Sequence, residues 1–555
     1  MRKNQINYKK IFIILSILAL GYVSYSPSLD NDFVNWDDDK YILENPDITS
    51  LNNFKKFFSS YYVGNYQPLS ILSYAIEYNF FKFNPRPYHK TNLFFHLFNT
   101  ILLFYIFYFL SGKYNISIII SIAFLIHPMH VESVVWISER KDVLYTFFYF
   151  LSVLSYLIFI KSRKLLYFLI SVLLFVLSLF SKSAAITLPL ILFLIDYFLR
   201  RKYRYKVLFE KLPYIVLSIL FGVIAIYSQA DAKAIISLPD FSFFDRFFLV
   251  SYAVLHYFTS FLVPYNLSIL YFYPDSLSSI YYISPVIFVL IIFLLIKIKK
   301  YRHDLLFGFL FFFLTISIVL QIIPVGNALT ADRYTYIPYI GLFYIVAFLI
   351  SELINKFPRI KYFILVFLFG YSLFFIIKTR NQIKVWENGE VLFSKMISDN
   401  PKKTLGYVNR GIARYYGYNS SKIPDYPLAI QDFNDALKIN DREINAYFNR
   451  GNCYYQLNQH KSALQDFSQT IELDSDYYKA YNNKGLVLSV LYKDSAAIDS
   501  YNRAIKINPD YSDAYLNRGI SYYNLNQLNQ ACKDWYHAKK LINQRACELI
   551  SKFCN

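Results

Sequence analysis

Hydrophobic and polar positions divide this chain into two parts with different rhythms. Up to about Lys378, apolar runs rich in Ile, Leu, Phe and Tyr alternate with short polar breaks. Several runs approach the roughly twenty apolar residues that carry a helix across a bilayer core. They place spans near 11–29, 91–110, 116–128, 143–160, 165–181, 185–199, 212–228, 281–297, 304–322, 336–353 and 362–378, about eleven in all. The first run follows a basic stretch and resembles a cleaved leader. No small-x-small site precedes Asp30, however, and the apolar stretch continues through Val23 and Tyr25, so it reads as a retained span.

Beyond Arg380 the runs stop and a beat begins. Asn409-Arg410-Gly411, Asn449-Arg450-Gly451, Asn483-Lys484-Gly485 and Asn517-Arg518-Gly519 recur, the last three glycines 34 residues apart. That is the period of a tetratricopeptide repeat. Tyr447, Tyr481 and Tyr515 stand four residues before their glycines. Ala463, Ala497 and Ala531 stand twelve after, and Phe467, Tyr501 and Trp535 four later still. The first repeat carries about six extra residues near Ser420 to Pro427. The pattern predicts an all-α chain. A polytopic helical membrane domain occupies 1–380, with a large first loop at 30–90. An α-solenoid of about four helix-pair repeats occupies 381–555, and such stacks build a groove for a peptide or partner protein.

Charge orients this plan. A formal charge of +19 suggests nucleic acid in a soluble protein. Here the Lys and Arg residues cluster in short loops, at Arg2 to Lys10, Lys161 to Lys164, Arg200 to Lys206, Lys297 to Arg302 and Lys356 to Lys361. With the N-terminus in the cytoplasm, all five clusters fall on the cytoplasmic side, as positive-inside bias requires. No basic patch interleaved with aromatics exists, so nucleic-acid binding is excluded. The apolar stretch 247–263 would break this charge rule if it crossed, and is assigned to a helix lying in, or dipping into, the outer face. The loops 30–90, His127 to Asp142, Gln229 to Ser279 and Gln321 to Tyr336 then open to the opposite face, with the repeats.

Chemistry-bearing residues gather on that face. Asp37-Asp38-Asp39 stand just beyond the first span, where consecutive acids are costly unless used. Such a cluster can bind a divalent cation or deprotonate a hydroxyl acceptor. The loop from His127 and His130 through Glu132 to Arg140, Lys141 and Asp142 offers metal or phosphate ligands. Lys182 in a short outer turn, and Asp332 with Arg333, offer further phosphate contacts. His89 and Asn92 can line the same cavity, whereas His96 reads as a core residue. No glycine-rich phosphate cradle is present, which favours a membrane-borne substrate over a soluble nucleotide. Metal dependence is left open. All four cysteines lie after Arg380, in no zinc spacing; Cys532 pairs with Cys547 or Cys554 in an extracytoplasmic domain, or the thiols stay free and buried.

Several segments carry a resemblance. They are Phe33-Val34-Asn35-Trp36-Asp37-Asp38-Asp39, His127-Pro128-Met129-His130-Val131-Glu132-Ser133, Ser138-Glu139-Arg140-Lys141-Asp142-Val143-Leu144, Thr187-Leu188-Pro189 and Asp332-Arg333-Tyr334, followed by the repeats. Together they resemble the C-type (GT-C) membrane glycosyltransferases fused to tetratricopeptide repeats: the bacterial members and the animal transmembrane-and-tetratricopeptide-repeat O-mannosyltransferases. The chain departs from the bacterial pattern at Tyr66-Gln67-Pro68-Leu69 and at Lys182-Ser183-Ala184. The resemblance implies an inverting transferase that moves a sugar from a polyprenyl-phosphate carrier to a hydroxyl acceptor, Ser or Thr of a protein, on the extracytoplasmic face. It also implies Asp37 or Asp38 as the acidic residue of the catalytic centre, and Arg140 with Arg333 as contacts to the lipid phosphate; on this reading one of the two acids is the base, and Lys141 joins the arginines in stabilising the leaving group. A bacterial inner membrane is the expected location. Two rival readings are a non-catalytic membrane-anchored scaffold, and a ligase or flippase for lipid-linked glycan.

Overall fold

The computed structural model describes residues 8–202, 205–234, 241–322 and 324–554. Parts of the basic clusters Arg2 to Lys10 and Arg200 to Lys206, and of the loop Gln229 to Ser279, lie outside them. The chain forms two compact units, Met1–Glu387 and Asn388–Asn555.

Among the described residues of the first unit, eight helices are long and apolar enough to cross a membrane by length and composition. They are Lys10–Asp30, Pro85–Ser111, Ile137–Ser162, Tyr205–Asp231, Ser279–Lys297, Lys299–Val319, Tyr339–Lys356 and Pro358–Val385. A ninth span arises if the bent pair Tyr114–Ile126 and Pro128–Val135 is one crossing, and Leu165–Ser181 and Ser183–Phe198 are shorter apolar helices. Each expected span therefore falls on an apolar helix, although those at 116–128, 165–181 and 185–199 fall on short ones. These helices mark a membrane protein. Their outward residues, such as Val286 at 67% and Val366 at 71% exposure, would be costly in water and are at home in hydrocarbon.

Local chemistry explains the breaks. His127 precedes Pro128, so its backbone is held extended (φ −69°, ψ 126°) and the helix bends there by 57°. The second span begins at Pro85 rather than at 91, because Asn84 caps the Arg86 N–H and Pro85 supplies a ready first-turn φ. The helix Phe243–Leu262 is started by a capping box of Ser242 and Asp245 and is not among the eight. Gly308 and Gly341 bring two helices together: a Cβ on Gly341 would sit 2.2 Å from the Gly308 carbonyl oxygen.

The first loop is a folded body with its own core. Phe33, Tyr41, Ile42, Ile48, Phe57, Ile71, Tyr74 and Tyr88 are buried together with Ile137. The acidic run therefore sits on an ordered support.

The second unit stacks helix pairs Thr404–Tyr416 with Tyr426–Ile439, Ile444–Gln456 with His460–Leu473, Tyr478–Val490 with Asp494–Ile507, and Ser512–Asn524 with Leu528–Lys540. Helices Gly389–Asp399 and Gln544–Phe553 flank the stack. The glycine beat has a steric cause. A Cβ at Gly451 would lie 2.8 Å from the Phe467 ring, at Gly485 2.6 Å from Tyr501, and at Gly519 2.5 Å from Trp535. Each glycine is the socket for the next helix's aromatic side chain. A disulfide joins Cys532 to Cys554, while Cys453 is buried and Cys547 exposed as free thiols.

Candidate functional site

The acidic run splits into carboxylates with different surroundings. Asp38 is buried, and its carboxylate accepts hydrogen bonds from the Val34 N–H at 3.0 Å, the Ser138 N–H at 2.9 Å and the Ser138 hydroxyl. Burial pushes this carboxyl up to about 7 against those bonds, which favour the ionised form. Its acceptor capacity is used in tying the first loop to the start of the helix at Ile137. Asp37, one residue earlier, is half-buried, and its carboxylate has no hydrogen-bond donor among the described residues. Partial desolvation raises its pKa, while the nearby Lys141 ammonium and then Lys40 oppose the rise. Asp39 is also raised by desolvation.

Opposite these acids lies a cradle of three cations around one carboxylate. Glu139 is 3.1 Å from the Lys141 ammonium, 3.3 Å from Lys182 and 3.4 Å from the Arg333 guanidinium. Lys182 also pairs with Asp142 at 2.6 Å, and Asp142 accepts from the Ser133 hydroxyl at 3.0 Å. Arg333 pairs with Glu132, whose second oxygen accepts from the Arg333 N–H at 2.9 Å. The Trp136 ring carries two of the cations, with Arg333 at 5.5 Å and Lys141 at 5.8 Å from its centroid. Asp332 turns aside, accepting from the Tyr271 hydroxyl at 2.9 Å, and burial with Glu132 nearby holds its carboxyl well above the ordinary range.

A cleft opens beside the cradle. Asp142, Lys182 and Arg333 form its polar wall, and Ile318, Val319 and Ile337 part of its apolar wall. Lys182 and Arg333 keep 20% and 16% of their side-chain surface exposed, so both can reach a ligand there.

Three residues expected at the substrate lie elsewhere. Arg140 is wholly buried and paired with Glu77, and it donates to Asn92 Oδ1 and to the Tyr88 carbonyl, both at 2.9 Å. Its charge is consumed in pinning three helices, so it is a brace rather than a phosphate contact. His127 and His130 are sealed among Phe261, Tyr339 and Phe343. His127 bonds the Phe261 carbonyl at 3.2 Å and accepts from the Met129 N–H, while His130 bonds the Phe124 carbonyl at 2.8 Å. Neither is placed to bind substrate or metal, and no group of three or more metal-type ligands occurs among the described residues. His96 sits between the Tyr336 hydroxyl and the Leu125 carbonyl as a core residue. Sequence reading missed the central role of Glu139, although it lies inside the charged run that drew attention. It missed Trp136 as well.

Comparison with known proteins gives two further findings. Tetratricopeptide-repeat models match residues 444–477 and 493–533. The chain is similar to the protein O-mannosyl-transferase TMTC3 of Homo sapiens, 31% identical over 162 residues, which is 27% of this chain and 17% of that one. The Mus musculus TMTC3 is 29% identical over 161 residues, with the same coverage. The Drosophila melanogaster protein O-mannosyl-transferase Tmtc1 is 28% identical over 201 residues, 34% of this chain and 23% of that one. The matched stretch thus spans about a sixth of the length of the first two relatives. Among solved structures, that of MamA is 21% identical, with 28% of this chain and 89% of that chain covered and a TM-score of 0.25.

Proposed function

We propose that this protein is a membrane glycosyltransferase that moves a sugar, mannose by its relatives' names, from a polyprenyl-phosphate carrier to a Ser or Thr hydroxyl of a protein. The observation that carries the reading is the pair of partly exposed cations, Lys182 and Arg333, set beside Ile318, Val319 and Ile337 at a small cleft of about 30 Å³. A phosphate bearing an isoprenoid tail needs both surfaces at once. Lys182 and Arg333 meet the phosphate oxygens and stabilise the charge that develops as it leaves. Lys141, between Asp37 and Glu139, keeps the base and the leaving-group side in one electrostatic unit.

In the proposed step Asp37 takes the proton of the acceptor hydroxyl. The acceptor oxygen forms a bond to the anomeric carbon, and the bond from that carbon to the phosphate oxygen breaks. The products are the glycoside with inverted configuration, the protonated Asp37 and the polyprenyl phosphate. The test is transfer by the full chain in nanodiscs, with polyprenyl-phosphate mannose as donor and Ser/Thr-containing exported proteins of the same cell as acceptors. Gain of a hexose by mass spectrometry is expected. No gain from a protein that binds the donor would favour the scaffold reading.

An extracytoplasmic repeat unit is supported by the Cys532–Cys554 bond, because disulfides persist in oxidising compartments. Exposed Cys547 gives the check. In intact cells, or in sealed vesicles of native orientation, a membrane-impermeant maleimide is expected to label it. Labelling only after permeabilisation would place the repeats on the cytoplasmic side. The repeats then present the protein acceptor at the membrane face where transfer occurs.

A further inference from the structure

The final apolar helix, Pro358–Val385, ends against both halves of the candidate site. Trp386, directly after it, stacks on Trp136 with ring centroids 5.2 Å apart and planes inclined by 25°. The Trp136 ring is the one that lies under Arg333 and Lys141. Both indoles are 2% exposed, and neither ring N–H has a protein acceptor among the described residues. What they contribute is therefore their faces.

The other side of the same turn holds the acidic run. The Asn31 side-chain amide donates to the Ile383 carbonyl at 3.2 Å and to the Trp386 carbonyl at 2.9 Å. The Asp32 N–H donates to the Glu387 carbonyl at 2.8 Å. Asn31 is buried, and the backbone then runs through Phe33 and Val34, both buried, to Asp37. One turn thus touches the acid segment through three hydrogen bonds and the cation cradle through a stacked pair of rings. Arg333 and Lys141 come from separate segments of the unit's sequence, and among the described residues neither cation bonds Asp37 or Trp386. Among the described residues Trp136, backed by Trp386, is the one ring under both cations, which also share the Glu139 carboxylate.

We infer that Trp386 and Asn31 are positioning residues. Trp386 acts through Trp136 to set the cations that hold the donor phosphate, and Asn31 sets the carboxylate segment against the same turn. The chain continues from this turn into the repeats at Asn388. The inference rests on the donor reading above. It adds two residues, from the first loop and the last span, that no motif in the chain marks.

The two residues predict different kinetic signatures, which a purely structural role would not separate. The full chain in nanodiscs is used, with a short-chain polyprenyl phosphate lacking sugar as the binding probe. Trp386→Ala is expected to weaken probe binding about tenfold, and Trp386→Phe, which keeps a flat ring, to stay within threefold of the parent. Asn31→Ala is expected to leave probe binding unchanged and to lower the rate of sugar transfer at saturating donor. Trp386→Ala empties a buried ring site and Asn31→Ala removes two buried hydrogen bonds, so both are expected to melt below the parent while Trp386→Phe melts near it, and the split between probe binding and transfer rate is what separates the two roles.

Parent-like binding by Trp386→Ala, while Lys182→Met loses the probe, would overturn the positioning role and leave the donor reading standing. Equal loss in Trp386→Ala and Trp386→Phe with lowered melting would mean that the stack is structural only. No difference in binding between the parent and Lys182→Met would remove the donor reading, and this inference with it.

Discussion

Asp37→Asn is expected to cut sugar transfer by about 10²–10⁴-fold while the donor still binds, the range that loss of a positioned general base produces. The substitution is nearly isosteric, and among the described residues no donor bonds the Asp37 carboxylate, so the fold should not register it. Asp38→Asn is expected to behave differently. Where Asp38 is ionised, above about pH 7, its carboxylate accepts from Val34 N–H and from both the N–H and hydroxyl of Ser138, and an amide nitrogen turned toward any of them faces a donor with a donor. The expected result is loosened anchoring of the first loop, read as faster proteolysis between the first two spans. If Asp37→Asn transfers sugar at the parental rate and Asp38→Asn does not, the assignment of the base is reversed. If neither changes transfer, the reading as a base-catalysed transferase falls and the scaffold reading gains.

The pH dependence separates the two acids further. A base must be ionised to act, so transfer should rise with pH through the Asp37 pKa, which burial places above the ordinary carboxylate range. Asp38 works in the opposite sense on stability. Its carboxyl holds a proton up to about 7 in the folded chain, whereas the unfolded chain releases it near pH 4, so the folded state binds more protons between those values. This group's contribution to stability is therefore fully present below about pH 4 and falls as pH rises through about 7. A transfer rate that climbs with pH, and a thermal stability that declines between about pH 4 and about pH 7, is the expected pairing. Asp38→Asn should flatten the stability trend without shifting the rate limb.

The spans and the repeats were legible because each is a periodic signal. A bilayer core demands an apolar run of set length, and a 34-residue stack demands a glycine wherever an aromatic side chain must enter. Site roles were less legible, and the reason is visible at 139–142. Glu139, Arg140, Lys141 and Asp142 are successive charges, and sequence cannot say which partner each will meet. The helix turns them to different neighbours: Arg140 to Glu77 from the first loop, Lys141 to Glu139 and the Tyr41 ring, and Asp142 to Lys182. Arg140 has the chemistry of a phosphate ligand and is used as a brace. Lys182 stands alone in a Ser-Lys-Ser turn and holds a central place in the cradle. Trp386 could not have been found from sequence at all. Its importance comes from a ring contact across 250 residues, between two segments with no shared pattern.

Lys182→Met is the second substitution with a large expected effect, and its reading requires a partner mutation. Lys182 faces the cleft and neutralises Asp142 at 2.6 Å and Glu139 at 3.3 Å. Removing it takes one cation from the donor phosphate and also leaves two buried carboxylates under-compensated. Losing a charged contact to the bound phosphate costs about 2–3 kcal/mol, so donor affinity should fall by about 30- to 160-fold, while the uncompensated Asp142 lowers stability separately. The single substitution cannot tell whether Lys182 binds phosphate or only balances Asp142. Lys182→Met with Asp142→Asn can. The double variant removes the charge pair together and leaves the Ser133 hydroxyl an amide oxygen to donate to. If Lys182 contacts the phosphate, the double variant recovers thermal stability and remains as weak in donor binding as the single one. Recovery of donor binding along with stability would mean that Lys182 serves only Asp142, and Arg333 would then be left as the one cation at the cleft able to meet the lipid phosphate.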